Sequence, residues 1–186
     1  MKAVFLVIFI ALVLLAVGVY FFIEKPEQIN QFFTSKIDIM TITSPSFENS
    51  RFIPSIFSCD GNNISPAFAI AEVPKDAKSL ALIVNDPDAP SGNFIHWIMW
   101  NIDSNTKNIR QESTPTGAME GTNSAGYVGY AGPCPPSGTH HYVFKLYALD
   151  TLLELESATT ESALKRAIVG HILAEAELIG LYGRIK

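Results

Sequence analysis

The chain has 186 residues, 48% of them hydrophobic and 17% charged, and its 13 Lys and Arg against 18 Asp and Glu give a net charge of −5. That balance excludes a disordered polyelectrolyte, which is poor in apolar residues, and a basic nucleic-acid binder, which needs Lys and Arg against phosphates.

In chain order, residues 3–23 are an uninterrupted uncharged, mostly apolar run between Lys2 and Glu24. As a helix rising ~1.5 Å per residue it would span about 30 Å, the thickness of a bilayer's hydrocarbon core. Residues 1–23 are therefore expected to form a transmembrane signal-anchor. The alternative is a cleaved signal peptide, with small residues at Ala16-Val17-Gly18, but cleavage there would leave the apolar residues 19–23 as a new terminus. Positive charge before the run and none in excess after it keeps the N-terminus cytoplasmic. Either way, the remainder is expected outside the cytoplasm, as a single-pass membrane protein or as a secreted or periplasmic one. No Cys follows the run, which argues against a lipid anchor.

Residues 24–36 read as a polar juxtamembrane linker, leaving residues 37–186 as one domain large enough for its own core. From residue 37 to 43 β-branched residues alternate with period two. The runs at 79–85 (SLALIVN), 94–102 (FIHWIMWNI) and 142–149 (YVFKLYAL) are rich in β-branched and aromatic residues and bounded by Pro, Gly, Asn or Asp. The polar, Gly-rich stretch 101–130 reads as a long loop. Residues 161–178 carry helical spacing and are expected to form one amphipathic helix ending at Gly180.

Two segments concentrate reactive groups. At 86–92 (DPDAPSG), Asp86 and Asp88 stand at a strand end, with Pro87 and Pro90 stiffening the turn around Asp88. At 132–142 (GPCPPSGTHHY), strand alternation sends His140 and Tyr142 to one face and His141 to the other. Three of the four His residues lie in or just after these segments. A His and a Tyr hydroxyl beside Asp86 would give convergent hydrogen-bonding groups around a small cavity. A Gly-Pro wall would let an anionic oxygen approach the backbone.

These residues resemble a known family. DPDAP at 86–90, HW at 96–97 and the segment from Gly132-Pro133 to His140-His141-Tyr142 are similar to the two signature regions of the phosphatidylethanolamine-binding, or Raf kinase inhibitor, protein family. CDGNNISP at 59–66 and GHILA at 170–174 resemble further markers of its bacterial and archaeal branch. The resemblance implies a mainly β fold: a large central antiparallel sheet, a smaller second sheet, a C-terminal helix and a small anion pocket at one end. Carried over by position, the pocket would be lined by Asp86, Asp88, Pro90, His96, Gly132, Pro133, His140 and Tyr142. The ligands it implies are phosphate-type head groups such as phosphoethanolamine, or acetate.

Two carboxylates in an anion site are reconciled if Asp86 orients His96 or His140 and favours its charged form. His141 stands where many members of the family carry Arg, which bears on partner contacts more than on ligand binding. Cys59 and Cys134 both fall in signature segments that the fold would bring together, and outside the cytoplasm a disulfide is the natural reading. Two free thiols, or a Cys134–His140 nucleophile, are the alternatives.

Asp86, Asp88, His96 and His140 have the composition of a metal set but no metal-motif spacing, and no metal or cofactor is expected. Asn63-Ile64-Ser65 fits the glycosylation pattern, a weak signal. The expected function is non-catalytic binding of a small anion or phospholipid head group. The alternatives are a protease inhibitor or kinase regulator acting on a protein partner, and a hydrolase using Asp86 and His140.

Overall fold

The structure, a computed structural model, describes residues 39–90 and 92–184. The expected signal-anchor at 1–23 and linker at 24–36 lie outside these residues. Among the described residues no helix is long and apolar enough to cross a membrane.

Among the described residues, nine strands and one α-helix follow in order: β1 (Thr41–Thr43), β2 (Arg51–Phe52), β3 (Phe68–Ala71), β4 (Ser79–Asp86), β5 (Phe94–Asp103), β6 (Asn108–Ile109), β7 (Met119–Glu120), β8 (Thr139–Leu149), α1 (Glu161–Ile168) and β9 (Ile172–Gly183). A six-stranded sheet runs β2-β9-β8-β4-β5-β7, and a three-stranded sheet runs β1-β3-β6. The large sheet is mostly antiparallel, with a parallel pair at its β2–β9 edge.

The burial of β4 explains the layering. Leu80, Leu82 and Val84 share a cluster with Ile42, Phe68, Ile70 and Ile109 of the small sheet, while Ala81 and Ile83 belong to a second cluster with Leu164 and Ile168 of α1. A strand covered on both faces reads as a continuous apolar run rather than an alternation, which is why the stretch from Leu80 to Val84 has no polar position.

The long C-terminal helix expected over 161–178 is corrected. α1 ends at Ile168, and Gly170 turns the chain in the left-handed region (φ 82°), where a side chain is disfavoured. The residues that followed in helical spacing are instead in β9. Ala174, Ala176, Leu178 and Tyr182 alternate with Glu175, Glu177, Ile179 and Leu181, and β9 pairs along nearly its whole length with β8. The inward Ala176, Leu178 and Tyr182 join the core beneath the small sheet. The 101–130 stretch is also not one loop, since it contributes the end of β5 and the short strands β6 and β7.

Candidate functional site

Antiparallel pairing brings three strand ends together. β4 pairs with β5 through Asp86↔Phe94 and with β8 through Asn85↔Val143, so Asp86, His96 and His140 collect at one end of the large sheet. His96 owes its position to a bulge. Val84 faces Trp97 while the next residue, Asn85, faces Ile95, leaving His96 as the extra residue of β5. Such an insertion re-aims a side chain, and the His96 ring lies tilted against Phe94 with centroids 4.8 Å apart and meets Tyr142 edge-on at 5.1 Å.

A cavity of about 300 Å³ opens here, lined by Asp86, Pro90, His96, Gly132 and His140 from the expected set, together with Asn63, Phe94, Tyr127, both cysteines and other small residues. This is the lower end of the range for small-molecule sites, and suits a head group more than a large metabolite. Its outer wall hangs on β5: Ser124 N–H donates to the Ile95 carbonyl and Ala131 N–H to that of His96. Asn123 folds the intervening loop by accepting from Ala125 N–H and donating to the Gly129 carbonyl.

Three residues of the expected set are not among the lining. The Asp88 carboxylate turns outward to accept the His141 ring Nδ1–H at 2.7 Å and the His141 backbone N–H at 2.8 Å. These bonds hold Asp88 below the usual carboxylate range. Pro133 lies behind the wall, its carbonyl taking the Cys59 N–H. Tyr142 is 1% exposed, and its pKa is pushed up, chiefly by burial and then by the Asp86 charge.

The two carboxylates thus part company. Asp86, 4% exposed, accepts the His140 ring Nδ1–H at 2.7 Å through one oxygen and the Asp88 N–H at 2.8 Å through the other. Of the two histidines proposed for Asp86, the partner is His140. With Nδ1 committed, Nε2 is the ring nitrogen His140 has left for the cavity. His96 instead donates Nδ1–H to the Ala131 carbonyl at 2.6 Å. Burial, outweighing that bond and the Asp86 charge, lowers its pKa below the ordinary value and keeps the ring neutral.

A pH dependence follows. A His whose folded-state pKa is depressed contributes stability that is complete above the unfolded value near 6.5 and is lost as pH falls through the folded value. The melting-temperature advantage of wild type over His96→Phe should therefore shrink between pH 7.5 and pH 5. A constant or widening difference in thermal melts would remove the burial argument.

The cysteines are joined as Cys59–Cys134, with Cα atoms 5.4 Å apart, so Cys134 has no thiol to act as a nucleophile with His140. The bond ties the turn at 58–63 to the Gly132–Pro136 wall. Asn63, absent from the expected site, enters by this route. Its backbone is left-handed (φ 58°), which Asn tolerates, and its Oδ1 accepts the Gly132 N–H at 2.7 Å. The Gly132 amide expected to face an anion is thus already spent. The signal for Asn63 lay in the CDGNNISP segment, but nothing in that string shows which Asn turns inward. Among the described residues no group of three or more His, Cys, Asp or Glu side chains is placed to hold a metal ion.

The comparisons agree with this architecture. The phosphatidylethanolamine-binding protein family profile matches residues 43–183. A UPF0098 protein of Methanothermobacter thermautotrophicus is 46% identical over 150 residues, covering 78% of this chain and 99% of the relative. One from Chlamydia muridarum is 45% identical over 148 residues, covering 77% and 98%. The crystal structure of a phosphatidylethanolamine-binding protein homolog from Chlamydia trachomatis superposes with a TM-score of 0.77 at 42% identity, covering 80% of this chain and 99% of that one. Escherichia coli YbcL, described as a member of the mammalian family, gives 0.74 at 30% identity, covering 78% and 99%. With two sheets, a helix before the last strand and a profile match across nearly all the described residues, this chain belongs to the phosphatidylethanolamine-binding protein family.

Proposed function

We propose that the cavity binds a small oxyanion, inorganic phosphate or a phospho head group, and performs no chemistry on it. Family membership supports ligand binding in general; the observation that carries the finer reading is the buried Asp86–His140 pair. A carboxylate aimed at the cavity would repel an anion. Here both Asp86 oxygens are turned to donors, and His140, with its Nδ1–H held by Asp86, meets the ligand through Nε2. The apolar side of the cavity, Phe94 with Pro90 and Ala131, lowers the local dielectric and strengthens that bond. The disulfide suits an oxidising compartment and so an extracytoplasmic domain held at a membrane by residues 1–23.

The test is calorimetric titration of the full chain with inorganic phosphate, phosphoethanolamine and acetate. Saturable binding is expected, weakened at least tenfold in both His140→Ala and Asp86→Ala, the scale of one lost charge-assisted hydrogen bond. A folded protein that binds none of the three, or variants that bind like wild type, would overturn the proposal. A hydrolytic role would instead require turnover of a phosphoester that His140→Ala abolishes; none is expected.

A further inference from the structure

At the end of the large sheet away from the cavity, apolar side chains stand uncovered. β8 runs from His140 in the cavity wall to Leu149, which pairs with Ile172 at the start of β9, about 30 Å away at ~3.3 Å per residue. There Leu152 is 61% and Val169 74% exposed, and Ile172 and Leu173 are exposed with them. The turns that carry the four are held together, because Asp150 N–H donates to the His171 carbonyl and the His171 ring Nδ1–H donates to the Asp150 carboxylate at 2.8 Å. A bulge explains why two neighbours are both outside. Ala148 faces Ala174 while the next residue, Leu149, faces Ile172, leaving Leu173 as an extra residue of β9. Exposed apolar residues scattered singly are ordinary, but a group gathered at one end marks a contact surface. Ile172 and Leu173 belong to the GHILA segment, which takes no part in the cavity.

The chain enters the domain at this same end. From Asn63 at the cavity the backbone passes along β3 to Lys78, whose N–H donates to the Leu149 carbonyl, so β3 runs away from the cavity. β1 is antiparallel to it, with Thr41 opposite Ala71 and Thr43 opposite Ala69, which puts Ile39, 66% exposed, before β1 on the side of the apolar group. We propose that Leu152, Val169, Ile172 and Leu173 seat the domain on the bilayer that anchors it, a lipid surface rather than a protein partner, with the cavity mouth turned to the water. This rests on the signal-anchor reading of residues 1–23. Residues 24–38, extended at ~3.4 Å per residue, reach about 50 Å, so the tether keeps the domain near the membrane without orienting it. The apolar group does the orienting. Four aliphatic side chains hold a free domain on lipid only weakly, but a tether makes the contact intramolecular and raises its effective concentration. Such side chains enter the boundary of head groups and acyl chains, about 5–10 Å deep. Lys75 and Lys78, exposed on the loop before β4 with Asp76 between them, supply cations for lipid phosphates at the same end. The cavity, at the other end of β8, then takes its oxyanion from solution and not from the leaflet beneath the domain.

The experiment is fluorescence of the full chain reconstituted in phosphatidylcholine vesicles. The native cysteines are paired, so a single introduced cysteine alone takes an environment-sensitive dye. The dye is placed at Leu173→Cys and, as the comparison, at Ser137→Cys, exposed at the cavity end. At position 173 the emission should shift to the blue and lose most of its intensity when the vesicles carry a brominated lipid; at position 137 it should do neither. Leu152→Asp with Val169→Asp should return the dye at 173 to its emission in water, while the protein stays with the vesicles and melts as the parent does, both side chains being exposed. A dye at 173 that sits in water without those changes, or quenching at 137 instead, would overturn the inference and leave the anchor intact. A blue-shifted dye that lipid bromine does not quench would overturn it too, since a second copy rather than lipid would cover the group. Protein that does not stay with the vesicles at all would remove the anchor reading together with this one.

Discussion

Replacing Cys59 and Cys134 together by serine is expected to cost about 4 kcal/mol of stability, the largest effect of any change outside the hydrophobic core. The bond closes a loop of 75 residues, and the chain-entropy account assigns a loop of that length about 4 kcal/mol through the freedom it removes from the unfolded chain. In a domain of this size that corresponds to a fall of roughly 8–16 °C in melting temperature. The same change should also weaken phosphate binding, because the bond holds the turn carrying Asn63 against the Gly132–Pro136 wall. Thermal melts with and without reductant check the first effect: wild type under reducing conditions should approach the double variant. Identical melts for oxidised wild type and double variant would show that the loop is held by its other contacts alone. Those contacts are substantial, since Ser58 and Asp60 both bond the Tyr182 hydroxyl, and Arg184 bonds Asp60.

Gly132→Ala is expected to damage the site more than its single methyl suggests. A Cβ there would lie 2.5 Å from the Phe57 carbonyl oxygen and 2.5 Å from Asn63 Oδ1, far inside van der Waals contact. The first neighbour is backbone and cannot swing aside, so the Gly132 segment or the 57–63 turn must move. Overpacking of this kind costs about 1–3 kcal/mol, and the displaced partner is the residue that supplies an amide to the cavity. A stability loss of roughly 2 kcal/mol in denaturant melts should accompany a loss of phosphate affinity of tenfold or more. A variant with wild-type affinity would mean that the Gly132–Asn63 bond has no part in ligand binding.

Much of the fold could be read from the residues because the core strands are extreme. SLALIVN, FIHWIMWNI and YVFKLYAL are long, apolar and bounded by turn formers, and each is a strand of the large sheet. The failures have local causes. Residues 172–178 carry apolar positions that fit both a helical stripe and a strand alternation, and only pairing with β8 chooses between them. Edge strands of two residues, such as β6 and β7, are too short to leave any periodicity.

At the site, the alternation of His140 and His141 was legible, since strand geometry alone puts neighbours on opposite faces; His140 is buried and His141 exposed. The pairing of Asp86 with His140 rather than His96 was not, because it depends on a bulge in β5 that an unbroken apolar run does not betray. Asp88 illustrates the same limit. Two residues beyond Asp86 in sequence, it is directed to the outer surface by the intervening turn and bonds His141. Asn63 lies 69 residues before Gly132, and no local pattern connects them.

The central claim is that an anion is held by His140 from a ring oriented by Asp86. Nitrogen NMR of the imidazole rings during titration with inorganic phosphate tests it most directly. The account predicts a saturable shift of His140 Nε2 towards the protonated, hydrogen-bonded form while His141, which faces away, stays still. His140 and His96 signals that remain unmoved at saturating phosphate would contradict it.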